Sequence, residues 1–267
     1  MTGINTGPST AAPTGRRIAF FGGSFDPPHL GHLAIARAAR DAFHLDTVLF
    51  APVGVQPLKP EGSSASFEDR LAMTRLAIDS EPGFAISLVD APKSPDASSA
   101  QPNYTPNYTI DTLKALRAEF KPDCTLYCLM GADSFFGLRQ WHRPAEIPFA
   151  AVLIVASRPV ASRPDQPLNG LQTALPSGLT LEPAPEGDRN ESGVAVRAFV
   201  LVNPAGERAP FYVLPGLDVE ISGTEIRTQA RETVSGRSSV AQVGSARVQA
   251  MLPAAVVDYI RARGLYC

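Results

Sequence analysis

The sequence predicts an α/β fold built on a doubly wound parallel sheet, and two observations lead to this class. Short apolar runs alternate with helical patterns along most of the chain, and these runs are apolar on both strand faces. Strands buried on both faces are typical of parallel sheets that carry helices on either side. At 267 residues and 44% hydrophobic composition, the chain can bury the core that such a fold needs.

The alternation can be followed element by element. The predicted strands are RRIAFFGG, TVLFAPV, AISLVD, CTLYCLMG and AAVLIVAS. The predicted helices between the first four of these strands are LGHLAIARAARDAF, FEDRLAMTRLAID and YTIDTLKALRAEF. A last helix is predicted near the C-terminus, with Pro253 in its first turn and Gly264 at its end.

Two segments depart from this pattern. Residues 1–15 are rich in Thr, Gly, Pro and Ala and predict a disordered tail, which leaves 16–267 as a single domain. Between about 160 and 210, frequent Pro, Gly and Ser and weak helical periodicity predict an insertion. Within and just beyond it, VAVRAFVLVNPAGERAPFYVL has the pattern of a hairpin around a Pro/Gly turn.

Composition excludes several classes of function. The formal net charge of -2 shows no excess of basic residues, so we expect neither a nucleic-acid partner nor a membrane partner. No apolar run approaches the roughly 20 residues that span a bilayer, and the first residues lack the apolar core of a secretory signal, so we expect a cytoplasmic protein. The spacing of Cys124 and Cys128 favours neither a zinc site nor a disulfide framework. The sequence does not decide between a monomer and a homo-oligomer.

The stretch GGSFDPPHLGH joins the first predicted strand to the first predicted helix. Gly22 and Gly23 let a ligand approach the backbone, and Pro27 and Pro28 hold the chain extended, so the helix begins near His29. The N-terminus of this helix then faces the carboxyl edge of the sheet, which is a natural site for phosphate.

Two histidines in this stretch strengthen the prediction of a phosphate site. His29 and His32 lie three residues apart on the first helical turn, so both can donate to one phosphate group. The stretch is neither a P-loop nor the G-x-G-x-x-G dinucleotide loop. Two alternatives stay open at this point: an ordinary cap or surface role, and a metal-ligand pair for which no third ligand is evident.

GGSFDPPHLGH is also similar to the signature of nucleotidyltransferases that carry H-x-G-H. Five further blocks resemble bacterial nicotinate-nucleotide adenylyltransferase and occur in its order: YTIDTL, MGADSFFGLRQWHRPAEI, ASRP, ISGTEIR and LPAAVVDYIRARGLY. The resemblance covers most of residues 17–159 and 211–266. It implies a Rossmann-like sheet of the nucleotidyltransferase type.

The resemblance implies adenylyl transfer from ATP, with Mg²⁺, to nicotinate mononucleotide. The products would be nicotinate adenine dinucleotide, a precursor of NAD, and pyrophosphate, with no covalent enzyme intermediate. Three alternatives remain: the same transfer to nicotinamide mononucleotide, transfer to phosphopantetheine, and a nucleotide-binding regulator without turnover.

The resemblance also implies roles for individual residues. ATP binding falls to Gly22, Gly23, Ser24, Phe25, His29, His32, Lys59, Ser222, Thr224 and Arg227. Of these, His29, His32 and Arg227 would act in catalysis. The acceptor would be bound by Thr109, Asp133, Trp141 and His142, with Trp141 stacked on the pyridine ring.

The chain departs from the family pattern at two positions. Gly223 stands where a serine is usual, and Leu58 stands where the family often has a loop histidine. Ser222 and Thr224 are both expected to cap the helix that follows them.

Overall fold

The computed structural model describes residues 15–58, 62–93, 106–120, 122–156, 167–185, 189–191, 194–214, 221–234 and 248–266. The predicted tail lies outside these residues except for residue 15. All five predicted strands are confirmed, as β1 (Arg16–Gly23), β2 (Thr47–Pro52), β3 (Phe84–Ile86), β4 (Cys124–Gly131) and β5 (Val152–Ala156).

The third strand is shorter than predicted. The run AISLVD contributes to β3 only as far as Ile86. The Ser87 N–H still donates to the Phe50 carbonyl at 2.9 Å, but the chain then turns, with the Ala91 N–H bonded to the Leu88 carbonyl. The apolar run therefore ends in a loop above the edge of the sheet.

The predicted helices are also confirmed, and further helices follow them. The first three are α1 (Leu30–Phe43), α2 (Phe67–Ile78) and α3 (Thr109–Phe120). The later ones are α4 (Ala132–Phe136), α5 (Ile147–Ala150), α6 (Pro167–Ala174), α7 (Gly223–Val234) and α8 (Ala254–Arg263). Pro253 is the N-cap of α8, and Gly264 ends that helix in the left-handed conformation.

The sheet is mostly parallel and is wound in both directions from β1. Four later strands complete it: β6 (Thr180–Pro183), β7 (Arg189–Glu191), β8 (Val194–Val202) and β9 (Arg208–Leu214). The strand order is β3-β2-β1-β4-β5-β9-β8-β6, and β7 pairs with β8. Neighbouring strands from β3 to β9 are parallel, whereas β8 is antiparallel to its neighbours. The winding direction changes between β1 and β4, and ligands bind at such a point in open α/β sheets.

The region predicted as an insertion supplies strands to this sheet. The predicted hairpin is confirmed: β8 and β9 are antiparallel, and the Asn203 N–H donates to the Glu207 carbonyl in their turn. Because β9 also pairs in parallel with β5, the hairpin continues the central sheet. The limits of the insertion, about 160–210, stay a prediction.

Apolar side chains pack on both faces of the sheet. One core cluster joins α1, α2 and α8 through Leu33, Met73 and Val256, and the opposite cluster includes Ile110 of α3 and Phe135 of α4. Burial on both faces explains why the strands are continuously apolar. Among the described residues, no helix has the length and apolar character needed to cross a membrane.

Candidate active site

A cavity of about 350 Å³ opens at the carboxyl edge of the sheet, beside the point where the winding reverses. The ends of β1, β4 and β5 form its floor, and the first turns of α1 and α7 form its walls. Nine of the residues predicted to bind ATP line it: Gly22, Gly23, Ser24, Phe25, His29, His32, Ser222, Thr224 and Arg227. Lys59 lies outside the described residues. Leu58 beside it is exposed.

The histidine pair lies at the first turn of α1. His29 is the N-cap, as the two prolines before it predict, and its backbone N–H donates to Nδ1 of His32 at 3.2 Å. The two rings stack with their centroids 3.7 Å apart. The His32 ring also contacts Phe25, with ring centroids 5.0 Å apart. Burial and the neighbouring His29 hold the pKa of His32 well below its usual value.

These contacts determine which proton His32 can offer. A neutral imidazole carries one N–H, and the Nδ1 atom of His32 is occupied as an acceptor. The proton therefore resides on Nε2. His32 is a directed hydrogen-bond donor in a cavity beside the N-terminus of α1, and helix N-termini attract anions.

The first turn of α7 lines the same cavity as the histidine pair. Ser222 caps the helix, as predicted, by accepting the Glu225 N–H at 3.1 Å. The cap predicted for Thr224 is wrong: Thr224 lies inside the helix, and its hydroxyl accepts from Nη2 of Arg227 at 3.1 Å. Nη1 of Arg227 donates to the Asp26 carbonyl at 2.6 Å. The arginine is therefore held at two points beside the cavity.

The absence of a side chain at Gly223 leaves room for the Arg227 guanidinium to reach the Asp26 carbonyl. A Cβ atom at position 223 would lie 3.2 Å from the Asp26 carbonyl oxygen and 3.3 Å from Nη1 of Arg227. Because both distances are tighter than ordinary van der Waals contact, a side chain here would displace its neighbours. Glycine at position 223 is thus compatible with the short Arg227–Asp26 contact.

The residues predicted to bind the acceptor fall into two groups. Asp133 lies in the first turn of α4, two residues after the end of β4, and lines the cavity. Thr109, Trp141 and His142 do not line it. Thr109 is the first residue of α3. Trp141 is half-buried and packs against the core cluster that contains Ile110 of α3. The centroid of the His142 ring lies 4.3 Å from that of the Tyr108 ring. The last three therefore form a separate group around the N-terminus of α3.

Comparison with known proteins agrees with this geometry. A family model described as cytidylyltransferase-like matches residues 20–229. The chain is 35% identical to a probable nicotinate-nucleotide adenylyltransferase of Gloeobacter violaceus, over 94% of this chain and 97% of that protein. A protein of the same name from Citrifermentans bemidjiense is 33% identical, over 94% and 98% of the two chains.

The chain belongs to the nicotinate-nucleotide adenylyltransferase family.

Solved structures agree with the nicotinate-nucleotide adenylyltransferase fold. The nicotinic acid mononucleotide adenylyltransferase of Plasmodium falciparum, complexed with NaAD, superposes with a TM-score of 0.58 at 16% identity, covering 94% of this chain and 97% of that one. A putative nicotinate-nucleotide adenylyltransferase from Vibrio parahaemolyticus gives a TM-score of 0.52 at 16% identity, with coverage of 94% and 95%. These likenesses establish the predicted Rossmann-like, mostly parallel architecture.

Sequence reasoning assigned no role to three buried polar residues of this nicotinate-nucleotide adenylyltransferase family member, of which Asp26 lines the cavity and Arg70 and Tyr266 do not. Asp26, Arg70 and Tyr266 are only 7%, 2% and 8% exposed. Arg70 donates to the Ser24 and Val53 carbonyls at 2.7 and 2.8 Å, so it ties the loop after β1 to the loop after β2. Desolvation lowers the pKa of Arg70, although nearby Asp26 opposes that shift. The position of Asp26 inside GGSFDPPHLGH was the one available signal.

Proposed function

We propose that the protein transfers the adenylyl group of ATP to nicotinate mononucleotide, which gives nicotinate adenine dinucleotide and pyrophosphate in NAD biosynthesis. The observation that carries this proposal is the convergence of His29, His32 and Arg227 on one cavity, from the N-terminal parts of α1 and α7. Family membership supports the reaction class, since the relatives bear the name of this activity.

The reaction requires charge neutralisation and alignment rather than a nucleophilic side chain. The phosphate of the acceptor attacks the α-phosphorus of ATP, the bond to the β-phosphate oxygen breaks, and pyrophosphate carries away the bonding electrons. Both reacting groups are anionic, so donors fixed in advance lower the barrier by stabilising the transition state. His32, the N–H groups of α1 and Arg227 would be those donors.

Arg227 and His32 would make different contributions. The guanidinium keeps its positive charge throughout and can bind two phosphate oxygens at once. His32 enters as a neutral donor, and a phosphate beside it would favour the protonated ring. The two residues thus offer a fixed charge and an adjustable one to the triphosphate.

Mg²⁺ would enter with ATP. Within the described residues, no group of three or more His, Cys, Asp or Glu side chains could hold a metal ion. Magnesium nevertheless binds through few protein carboxylates when phosphates supply its other ligands. Asp133 at the cavity wall would suit that contact or one to a ribose hydroxyl. The ion would supply charge neutralisation on the phosphates.

The acceptor would lie between Asp133 and the group at the start of α3. The N-terminus of α3 and the backbone at Trp141 and His142 would receive the pyridine carboxylate, because helix N-termini attract anions. The Trp141 indole would stack on the pyridine ring. A carboxylate contact is the feature that would separate nicotinate from nicotinamide mononucleotide.

Pyrophosphate release tests the proposal. ATP and Mg²⁺ would be supplied with nicotinate mononucleotide, nicotinamide mononucleotide or phosphopantetheine in separate reactions, and initial rates compared. We expect a strong preference for the nicotinate form. Release with another acceptor alone would contradict the acceptor assignment. No release with any acceptor, from folded protein that binds ATP, would identify a nucleotide-binding regulator.

A cytoplasmic location and the oligomeric state stay predictions. Gel filtration and cell fractionation would test them.

A further inference from the structure

The Asp26 carboxylate connects three parts of the chain that lie far apart in sequence. Its oxygens accept the Ser64 N–H at 2.6 Å, the Ala65 N–H at 3.2 Å and the Tyr266 hydroxyl at 2.7 Å. Asp26 and Tyr266 are separated by 240 residues. The loop after β1 is therefore held both by the segment before α2 and by the end of the chain.

The backbone carbonyl of the same residue holds Arg227. Nη1 of Arg227 donates to that oxygen at 2.6 Å, and Asp26 and Arg227 both line the cavity. A movement of the Asp26 backbone would therefore move the guanidinium that faces the phosphates. Phe25, just before it, has a φ of 47°, a left-handed conformation that is strained for a bulky residue. Such a loop keeps its shape only when the surrounding contacts fix it.

Tyr266 reaches Asp26 because α8 ends abruptly. Gly264 adopts the left-handed conformation, and the Leu265 N–H donates to the Ile260 carbonyl at 3.0 Å, which turns the chain back toward the core. Tyr266, with a φ of 66°, then lies buried with its hydroxyl on the carboxylate. The last described residues thus pack against the loop after β1.

We propose that Tyr266 is a positioning residue for adenylyl transfer. Its hydroxyl fixes the Asp26 carboxylate, and the Asp26 carbonyl in turn aims the Arg227 guanidinium at the ATP phosphates. Tyr266 touches no substrate and acts only through Asp26. This inference rests on the proposed function, because it assigns Arg227 to the triphosphate.

Tyr259 provides a matched control. Its hydroxyl also donates to a buried carboxylate, Asp69, at 2.9 Å, and it also belongs to the C-terminal segment. Asp69 is held by Ser66 and Arg263 and does not line the cavity. Tyr266→Phe and Tyr259→Phe therefore each remove one tyrosine–carboxylate bond, but only the first bond leads to Arg227.

The first measurement compares steady-state kinetics, the Kd of Mg²⁺-ATP and the melting temperature for the two variants. We expect both melting temperatures to fall by similar amounts. Tyr266→Phe should lower kcat/KM for ATP about tenfold with the acceptor KM unchanged, and Tyr259→Phe should stay within about twofold of the wild type. Rates are expressed per folded protein, measured by circular dichroism.

The second measurement repeats Tyr266→Phe in an Arg227→Ala background. If Tyr266 acts through Arg227, the substitution should now change kcat/KM by less than about twofold. Equal effects of Tyr266→Phe and Tyr259→Phe, or an undiminished effect without Arg227, would overturn the inference. Failure of the wild type to release pyrophosphate would count against the proposed function alone, since the Kd of Mg²⁺-ATP still compares the variants.

Discussion

The imidazole rings of His29 and His32 lie 3.7 Å apart, centroid to centroid, with their planes inclined by only 28°. Two protonated rings at this distance would repel each other strongly. The low pKa of His32, caused first by burial and then by His29, keeps that ring neutral in the absence of an anion. A phosphate group between the rings and Arg227 would favour the protonated form of His32, so the ring would no longer be kept neutral. The pair is therefore suited to an anion that carries several charges.

Removal of either histidine should abolish most of the turnover. We expect His29→Ala and His32→Ala each to lower kcat by roughly 10²–10³-fold, the effect of losing a preorganised donor to a transition state. His44→Asn is the control, because His44 is exposed at the left-handed end of α1, a conformation that asparagine tolerates. Near-normal kcat in either alanine variant would refute the assigned role.

The low pKa of His32 also predicts how stability depends on pH. Histidine in the unfolded chain has a pKa of about 6.5, so below that pH the unfolded state binds more protons than the folded state. The contribution of neutral His32 is complete above about pH 6.5 and is lost as the pH falls toward the folded-state pKa. Urea unfolding between pH 7 and 5 should show a steeper decline for the wild type than for His32→Ala. Identical slopes would contradict this prediction.

Gly223→Val should weaken ATP binding. The branched side chain begins at a Cβ only 3.2 Å from the Asp26 carbonyl oxygen and 3.3 Å from Nη1 of Arg227, so one of these groups must move. We expect KM for ATP to rise at least about tenfold, because small misplacements of a positioning group are costly. Gly170→Ala is the comparison, since a Cβ there meets nothing within 4 Å. Wild-type ATP kinetics in Gly223→Val would show that the close packing of residue 223 against Asp26 and Arg227 does not affect ATP binding.

Trp141→Ala should chiefly affect the acceptor. If the indole stacks on the pyridine ring, its loss should weaken acceptor binding by about 1–3 kcal/mol and leave KM for ATP nearly unchanged. Trp141→Phe should retain part of the affinity, because a phenyl ring can still stack. Trp141 also packs against the core, so the melting temperature is measured in parallel. An unchanged acceptor KM in Trp141→Ala would refute its placement at the acceptor.

Much of the fold was predictable from local patterns. The five strands before residue 157 and helices α1, α2 and α3 follow from apolar runs and from helical periodicity, because parallel strands buried on both faces leave a continuous apolar signal. The start of α1 at Leu30 follows from Pro27 and Pro28, which exclude helical backbone before His29. The placement of the β8–β9 hairpin in the central sheet was not predictable, because it depends on the pairing of β9 with β5.

The cavity lining was predictable only where a motif marked it. The glycines and histidines of GGSFDPPHLGH and the Ser222–Arg227 block carry recognisable spacing, and they meet at the carboxyl edge of the sheet. The bond between Asp26 and Tyr266 joins residues that no local pattern connects. Arg70 lies on an ordinary helix, and its complete burial depends on the two loop carbonyls that it binds.

The central claim is that the first turns of α1 and α7 together bind the triphosphate of ATP, and a crystal structure with Mg²⁺ and a non-hydrolysable ATP analogue tests it most directly. We expect phosphate oxygens within hydrogen-bond distance of His32 Nε2, the N–H groups at the start of α1 and the Arg227 guanidinium. A triphosphate bound elsewhere, with both histidines and Arg227 free of contact to it, would contradict the account.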